Sequence, residues 1–270
     1  SFDIAVLELY LPIISGAKVV IATRDQVVDG NRLKELIAHN HVSIMQATPA
    51  TWRLLCNAGW QGDKDFRILC GGEALPRDLC ADLLNRSGQL WNMYGPTETT
   101  VWSTCYLIRN ADKPPLIGTA IANTGLYALD EFKNLVPDGI PGELYIGGDG
   151  VTLGYLNREA LTQERFLQLE IAGNDRLYRT GDKVRFNSEG NLEYLGRLDS
   201  QIKLRGFRIE LGEIETAIRQ HDSVKDCALS VQKISAEDER LVGFIVAAGE
   251  TVDFKQVRDF LSETLPAYMI

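Results

Sequence analysis

Three short segments concentrate residues able to do chemistry. Tyr94-Gly-Pro-Thr-Glu-Thr-Thr100 sets a phenol, threonine hydroxyls and a carboxylate around a glycine and a proline, and Tyr178-Arg-Thr-Gly-Asp182 ends on a second carboxylate. Gly196-Arg-Leu-Asp-Ser-Gln-Ile-Lys-Leu-Arg-Gly-Phe-Arg-Ile-Glu-Leu-Gly-Glu-Ile-Glu215 packs charges, glycines and alternating apolar residues more densely than a fold alone requires. An ionised carboxylate such as Asp182 only accepts hydrogen bonds. Each segment also has a plain structural explanation. Tyr-Gly-Pro-Thr makes a proline turn, Thr-Gly-Asp makes another turn, and Gln201 to Leu204 reads as a solvated edge strand with alternating faces. Asp3 reads as the N-cap of the apolar segment that it opens. Gly142-Glu-Leu-Tyr-Ile-Gly-Gly-Asp-Gly150 is glycine-rich, but it reads as strand and turn, with no ligand role.

These four segments, in this order, resemble the motifs of adenylate-forming, AMP-binding enzymes, and the stretch from Gly196 resembles their hinge. The resemblance implies ATP-dependent activation of a carboxylate with release of pyrophosphate. Such a reaction needs the acid oxygen in line with the α-phosphorus, with a metal ion and fixed donors meeting the developing charge. It assigns Tyr94 to stacking on adenine, Thr97 to a phosphate oxygen and Glu98 to Mg²⁺, a hard cation that prefers oxygen. It assigns Asp182 to both ribose hydroxyls, Arg197 to the ribose or phosphate, and Gly72 to the nucleotide site. Asp199 becomes the pivot about which a small C-terminal unit swings between adenylating and thioester-forming poses. Lys203, Arg205 and Gly206 travel on that unit, with Gly206 allowing close backbone approach.

Within this superfamily, Ser1-Phe2-Asp3 resembles the adenylation domains of nonribosomal peptide synthetases, in which the aspartate pairs with the substrate α-ammonium. A desolvated ion pair of that kind contributes about 1.5–3 kcal/mol. By the same resemblance the side-chain pocket is lined by Ile4, Leu7, Gln46, Leu69, Gly71, Met93, Val101 and Trp102. Asp3, Ile4 and Leu7 can share a helix face, and Leu69 and Gly71 fall on one side of a strand. Most of these side chains are large, so little room is expected beyond the substrate α-carbon. The set also looks like the lining associated with glycine, which makes glycine the expected acid and alanine the second. Several of these residues, Leu69 above all, are equally readable as ordinary core. The implied partners are the amino acid, a carrier domain bearing phosphopantetheine and a condensation domain of the same synthetase.

The elements that must position these groups show in the apolar periodicity. Leu33, Leu36 and Ile37 share a helical face, as do Leu75, Leu79, Cys80, Leu83 and Leu84 around Pro76. Short apolar runs at Val42–Met45 and Phe66–Cys70 have strand length, which predicts a layered α/β core with a mostly parallel sheet. From about Asn123 to Gly196, short strands such as Leu144–Ile146 and Leu192–Leu195 alternate with glycine turns, which predicts an antiparallel, barrel-like section. Beyond Asp199 the pattern predicts a helix with Leu211, Ile214, Ala217 and Ile218, strands at Val224–Val231 and Leu241–Ala247, and a helix opened by Asp253 in a capping box with Gln256. The expected organisation is therefore residues 1–198 as the second half of a large α/β subdomain and 199–270 as a smaller, truncated α+β subdomain.

The bulk numbers bound the partners. With 270 residues, 45% hydrophobic and 24% charged, the chain has the composition of a soluble globular protein. A net charge of −9 and a pI near 5.0 argue against nucleic acid, which calls for a basic face. No apolar run reaches the roughly 18 residues that span a bilayer. Cys56, Cys70, Cys80, Cys105 and Cys227 form no C-x-x-C pair, so no disulfide framework or zinc site is expected and a reducing cytoplasm fits. The family's Ser/Thr/Gly-rich phosphate loop belongs upstream of Phe2, and its catalytic lysine downstream of Leu265-Pro-Ala-Tyr-Met-Ile270. The sequence thus reads as an interior cut of an adenylation domain, expected to be poorly soluble and almost inactive alone; Lys203 does not replace the missing lysine. The alternatives are a free-standing acid-CoA ligase, against which Asp3 speaks, and a degenerate, non-catalytic fold, against which Glu98, Asp182, Arg197 and Asp199 speak.

Overall fold

The computed structural model describes residues 3–173, 175–204, 207–234 and 239–270, which fall into two compact units, 1–198 and 199–270. The first unit opens with helix α1 (Ile4–Ile14), the short α2 (Arg24–Val27) and α3 (Gly30–His39), whose N-cap Asp29 accepts from the N–H groups of Asn31 and Arg32. Strand β1 (Ile44–Ala47), α4 (Pro49–Asn57), β2 (Asp63–Gly71), α5 (Arg77–Arg86) and β3 (Ser87–Tyr94) then alternate. Helical crossovers make β1, β2 and β3 parallel neighbours. The sheet is not parallel throughout: β4 (Thr104–Ile108) returns antiparallel along β3, and β5 (Thr119–Ala120) pairs antiparallel with β4. The loop of residues 95–103 is too short for a crossover helix, so the chain must double back.

Alternation along β2 explains the layering. Phe66, Ile68 and Cys70 point into a core shared with Leu33 and Ile37 of α3, Trp52 and Leu55 of α4, and Leu79, Cys80 and Leu83 of α5. Trp52, Trp60 and Phe66 pack ring on ring there, with centroids 5.2–6.3 Å apart. Leu69 and Gly71 face the opposite side of the sheet.

The rest of the first unit is antiparallel. Strands β6 (Thr124–Leu129), β7 (Gly142–Gly148), β9 (Arg176–Phe186) and β10 (Leu192–Arg197) pair in the order β10-β9-β7-β6, and α6 (Glu159–Arg165) leads into β8 (Phe166–Gln168) beside β9. Leu144, Tyr145 and Ile146 of β7 are all buried because both faces are covered. Leu144 and Ile146 pack with Ile117, Val184 and Leu192, and Tyr145 packs with Leu129 and Leu177. The Ile117 N–H donates to the Leu192 carbonyl, which ties this sheet to the first.

In the second unit β11 (Gln201–Leu204) pairs antiparallel with β12 (Phe207–Glu210), followed by α7 (Leu211–Arg219), the antiparallel pair β13 (Val224–Lys233) and β14 (Glu239–Ala247), and α8 (Phe254–Ser262). Leu211, Ile214 and Ile218 form the buried face of α7, with Val257 and Leu261 of α8 in the same core. Asp253 caps α8 by accepting from the N–H groups of Lys255 and Gln256. The simple alternation expected for β11 does not hold: Gln201 and Leu204, at its two ends, are both buried. All five cysteines are free.

Candidate functional site

The loop that leaves β3 gathers most of the groups singled out above. Pro96 introduces a 3-10 turn over Thr97–Thr99, and the Ser103 N–H closes the loop on the Tyr94 carbonyl at 2.8 Å. A Cβ at Gly95 would lie 2.6 Å from the Val101 carbonyl oxygen and 2.7 Å from the Trp102 Cα, so only glycine lets the chain cross itself here. Thr100 and Val101 follow with φ of 63° and 69°, a left-handed conformation that β-branched residues rarely adopt. The strained backbone aims the Val101 N–H at Asp3, whose Oδ2 accepts it at 3.1 Å. Asp3 therefore does not cap α1 with its side chain, and its own φ and ψ of −60° and −28° are already helical.

Trp102 is 5% exposed and lies against Gly71. A Cβ there would come within 2.4 Å of the indole Cη2 and 2.6 Å of the Met93 carbonyl oxygen. The indole N–H donates to Gln46 Oε1 at 2.8 Å, and Gln46 Nε2 donates to Glu8 Oε1 at 3.0 Å. Gln46 stands opposite Leu69 across β1 and β2, and Gly71 opposite Met93 across β2 and β3, so all four share the sheet face away from the helical core. Ile4 and Leu7 are half-buried on α1 near Asp3 in sequence. The structure thus brings Asp3, Gln46, Gly71, Met93, Val101 and Trp102 into one neighbourhood.

A second cluster centres on Asp182. Thr180, Gly181 and Asp182 do not form a turn; they lie inside β9, as a bulge where the register against β7 shifts between Glu143 and Tyr145. Gly181 takes a φ of 76° to make it. The Tyr94 hydroxyl donates to Asp182 Oδ2 at 2.5 Å and Arg197 donates to Oδ1 at 2.9 Å. Arg197 also reaches the Thr180 carbonyl at 3.1 Å, and the Asp182 N–H donates to Thr180 Oγ1 at 2.9 Å. Burial, and then the neighbouring Asp182 charge, push the Tyr94 hydroxyl far above the usual tyrosine range, so it stays a donor. Each Asp182 oxygen retains lone-pair capacity for a further donor.

Glu98 is 8% exposed and accepts at Oε1 from the Tyr155 hydroxyl at 2.6 Å. Burial first, and then this bond, raise the Tyr155 hydroxyl. The glycine-rich Gly142–Gly150 segment packs on the same loop: Thr100 Oγ1 donates to the Gly150 carbonyl at 2.7 Å, and the Thr152 N–H donates to the Glu98 carbonyl at 2.9 Å. Gly72, directly after β2, has a φ of 86°. No cluster of three or more His, Cys, Asp or Glu that could hold a metal occurs among the described residues. One buried carboxylate fits a Mg²⁺ that keeps waters and takes phosphate oxygens for its remaining ligands.

Asp199 and Lys203 belong to the second unit. Asp199 Oδ1 accepts from the Gln201 N–H at 3.2 Å, and Lys203 stands opposite Arg208 across β11 and β12. Gly206 and Arg205 lie outside the described residues. Three contributors were not assigned a role from the sequence: Glu8, Tyr155 and Thr180. Thr180 stood inside the Tyr178–Asp182 segment, and Glu8 carried a signal as the one charged residue in the otherwise apolar α1.

A model of AMP-binding enzymes matches residues 1–156. The chain belongs to that family. A dimodular nonribosomal peptide synthase of Bacillus subtilis (strain 168) is 42% identical over 272 residues, a match to the whole chain and 11% of the relative. Gramicidin S synthase 2 of Brevibacillus brevis is 37% identical over 274 residues, again the whole chain but 6% of the relative. The chain thus spans a small part of the curated relatives it matches. Among solved structures, a holo four-domain nonribosomal peptide synthetase bound to AMP and glycine is 44% identical, with a TM-score of 0.72 over 99% of this chain and 20% of that one. An artificially fused adenylation–PCP di-domain from Klebsiella oxytoca has a TM-score of 0.84 at 26% identity, over the whole of this chain and 54% of that one. The α/β core, antiparallel section and smaller α+β unit of this AMP-binding chain are the fold of adenylation domains. No helix among the described residues is long and apolar enough to cross a membrane.

Proposed function

We propose that this chain is part of an adenylation domain that activates glycine with ATP, releases pyrophosphate and passes the glycyl group to the phosphopantetheine thiol of a carrier domain. The observation that carries the reading is the Trp102 indole lying on Gly71 beside Asp3. In this arrangement Asp3 takes the α-ammonium, its carboxylate held in place by the Val101 N–H. Trp102 and Met93 meet any side chain attached to the α-carbon. Collision is the effective means of rejection here, because filling an extra methylene is worth only about 1–3 kcal/mol. The 44% identical synthetase that carries AMP and glycine supports the same choice.

On the nucleotide side, Asp182 takes the ribose hydroxyls, Tyr94 faces the adenine, Gly72 and Thr97 flank the nucleotide and its phosphates, and Arg197 holds Asp182 in the required orientation. Glu98 would hold Mg²⁺, which neutralises phosphate charge when bound. Asp199 is the pivot of the second unit, and Lys203 and Gly206 are carried with it. A carrier domain and a condensation domain of the same synthetase are the proposed partners, in a cytoplasmic assembly.

Pyrophosphate exchange by the complete parent domain, measured across the amino acids, tests the substrate. Glycine is expected to lead, with alanine well behind. Equal or better exchange with phenylalanine or leucine would overturn the assignment.

A further inference from the structure

We infer that Glu8 is a specificity-positioning residue: it orients the Gln46 amide, which in turn fixes the Trp102 indole as the wall that limits the substrate side chain. The inference rests on the glycine reading above and extends it to a residue outside the pocket.

Hydrogen-bond polarity fixes the orientation of the Gln46 amide. An indole N–H only donates, whereas a primary amide presents an acceptor on one arm and donors on the other. Rotated by half a turn, the Gln46 amide would set its NH₂ against the indole N–H, donor against donor, and Trp102 would lose its anchor. An ionised carboxylate only accepts. Glu8 Oε1 therefore claims the NH₂ arm at 3.0 Å and leaves Oε1 of Gln46 for the indole at 2.8 Å. The chain Trp102 to Gln46 to Glu8 runs in one sense only.

Its consequence is geometric. The anchored indole lies where a Cβ on Gly71 would come within 2.4 Å of Cη2 and 2.9 Å of Cζ3, so this part of the ring occupies the volume that a larger pocket would offer. Glu8 is well placed for the task. It follows Ile4 by four residues and shares that helical face, and no other residue of α1 carries a charge.

The test uses the complete parent domain and the ratio of kcat/KM for glycine to that for alanine in pyrophosphate exchange. Glu8→Leu is expected to lower the ratio by about three- to tenfold, the worth of one hydrogen bond, while Glu8→Gln, whose carbonyl oxygen can still accept, keeps it. Gln46→Leu is expected to lower it at least as much, and adding Glu8→Leu to Gln46→Leu is expected to change nothing further. Because Glu8 is solvent-exposed, its replacement leaves the fold intact. A glycine-selective parent whose ratio ignores Glu8→Leu overturns this inference alone. So does a Glu8→Leu effect of equal size in the Gln46→Leu background, which would mark a merely structural role. A parent that accepts phenylalanine or leucine as readily as glycine removes both the wall and the substrate reading.

Discussion

At the scale of single residues, Asp3 shows how charge and backbone strain cooperate. Its carboxylate receives one N–H, from Val101, and that N–H points the right way only because two consecutive β-branched residues take left-handed backbone conformations. Strain of this kind costs about 1–3 kcal/mol per residue and persists where surrounding structure enforces it, here through the hydroxyl pair Thr99–Ser103 at 2.6 Å and the Thr100 bond to Gly150. Asp3→Asn keeps an oxygen for the Val101 N–H but removes the charge. On the proposed role of Asp3, the KM for glycine in the complete domain is expected to rise about tenfold to a hundredfold, with kcat much less affected, because an α-ammonium held there would be bound equally in ground and transition states. Steady-state kinetics checks this, and an unchanged KM would argue that the amine is held elsewhere. The residue types around Asp3 were legible in the sequence, as charge beside bulk. The direction of each hydrogen bond was not, since nothing in the one-dimensional pattern tells which arm of Gln46 meets Trp102.

At the scale of elements, the first lesson is the bulge in β9. Thr-Gly-Asp is a good turn sequence, yet here it sits mid-strand, because the buried flanking residues Leu177, Tyr178 and Val184 hold the chain between β7 and β10. Tertiary pairing overrides the local preference, and the glycine absorbs the conflict. Thr180 fastens the result: its hydroxyl donates to the Leu144 carbonyl at 2.8 Å and accepts from the Asp182 N–H. Thr180→Val keeps the shape and leaves a buried N–H without its acceptor. An expected loss of about 1–3 kcal/mol is measurable by denaturant unfolding, together with a several-fold rise in the KM for ATP as Asp182, the proposed ribose ligand, loses its alignment. Unchanged stability would show that the bulge is held by sheet pairing alone. Helices and parallel strands were readable from apolar spacing, and α3, α5, α7 and α8 lie where that spacing placed them. The antiparallel return of β4 was not readable, because strand direction depends on the short connection of residues 95–103 rather than on the strand's own composition.

At the scale of the molecule, buried phenols link the fold to pH. Tyr94 and Tyr145 are both buried in the first unit, and each is pushed above the ordinary tyrosine range by burial first and by a neighbouring carboxylate next. Asp182 acts on Tyr94, and Glu143 acts on Tyr145, which rises to about 12. An unfolded chain releases these protons near pH 10, while the folded chain holds them longer. The unfolded state therefore binds fewer protons in this window. Stability that is fully present below about pH 10 is lost as pH rises, by up to about 1.4 kcal/mol per pH unit for each phenol. For Tyr145 the loss ends near pH 12. Tyr145→Phe changes the overall stability by removing the hydroxyl's contacts to Lys133 and Glu143, but its particular signature is in the slope. Between pH 10 and 12, urea unfolding of the complete domain is expected to show a shallower decline for this variant than for the parent. Parallel slopes would mean that Tyr145 ionises as readily in the folded core as in the open chain, and that the packing of Tyr145 against Leu129 and Leu177 admits water.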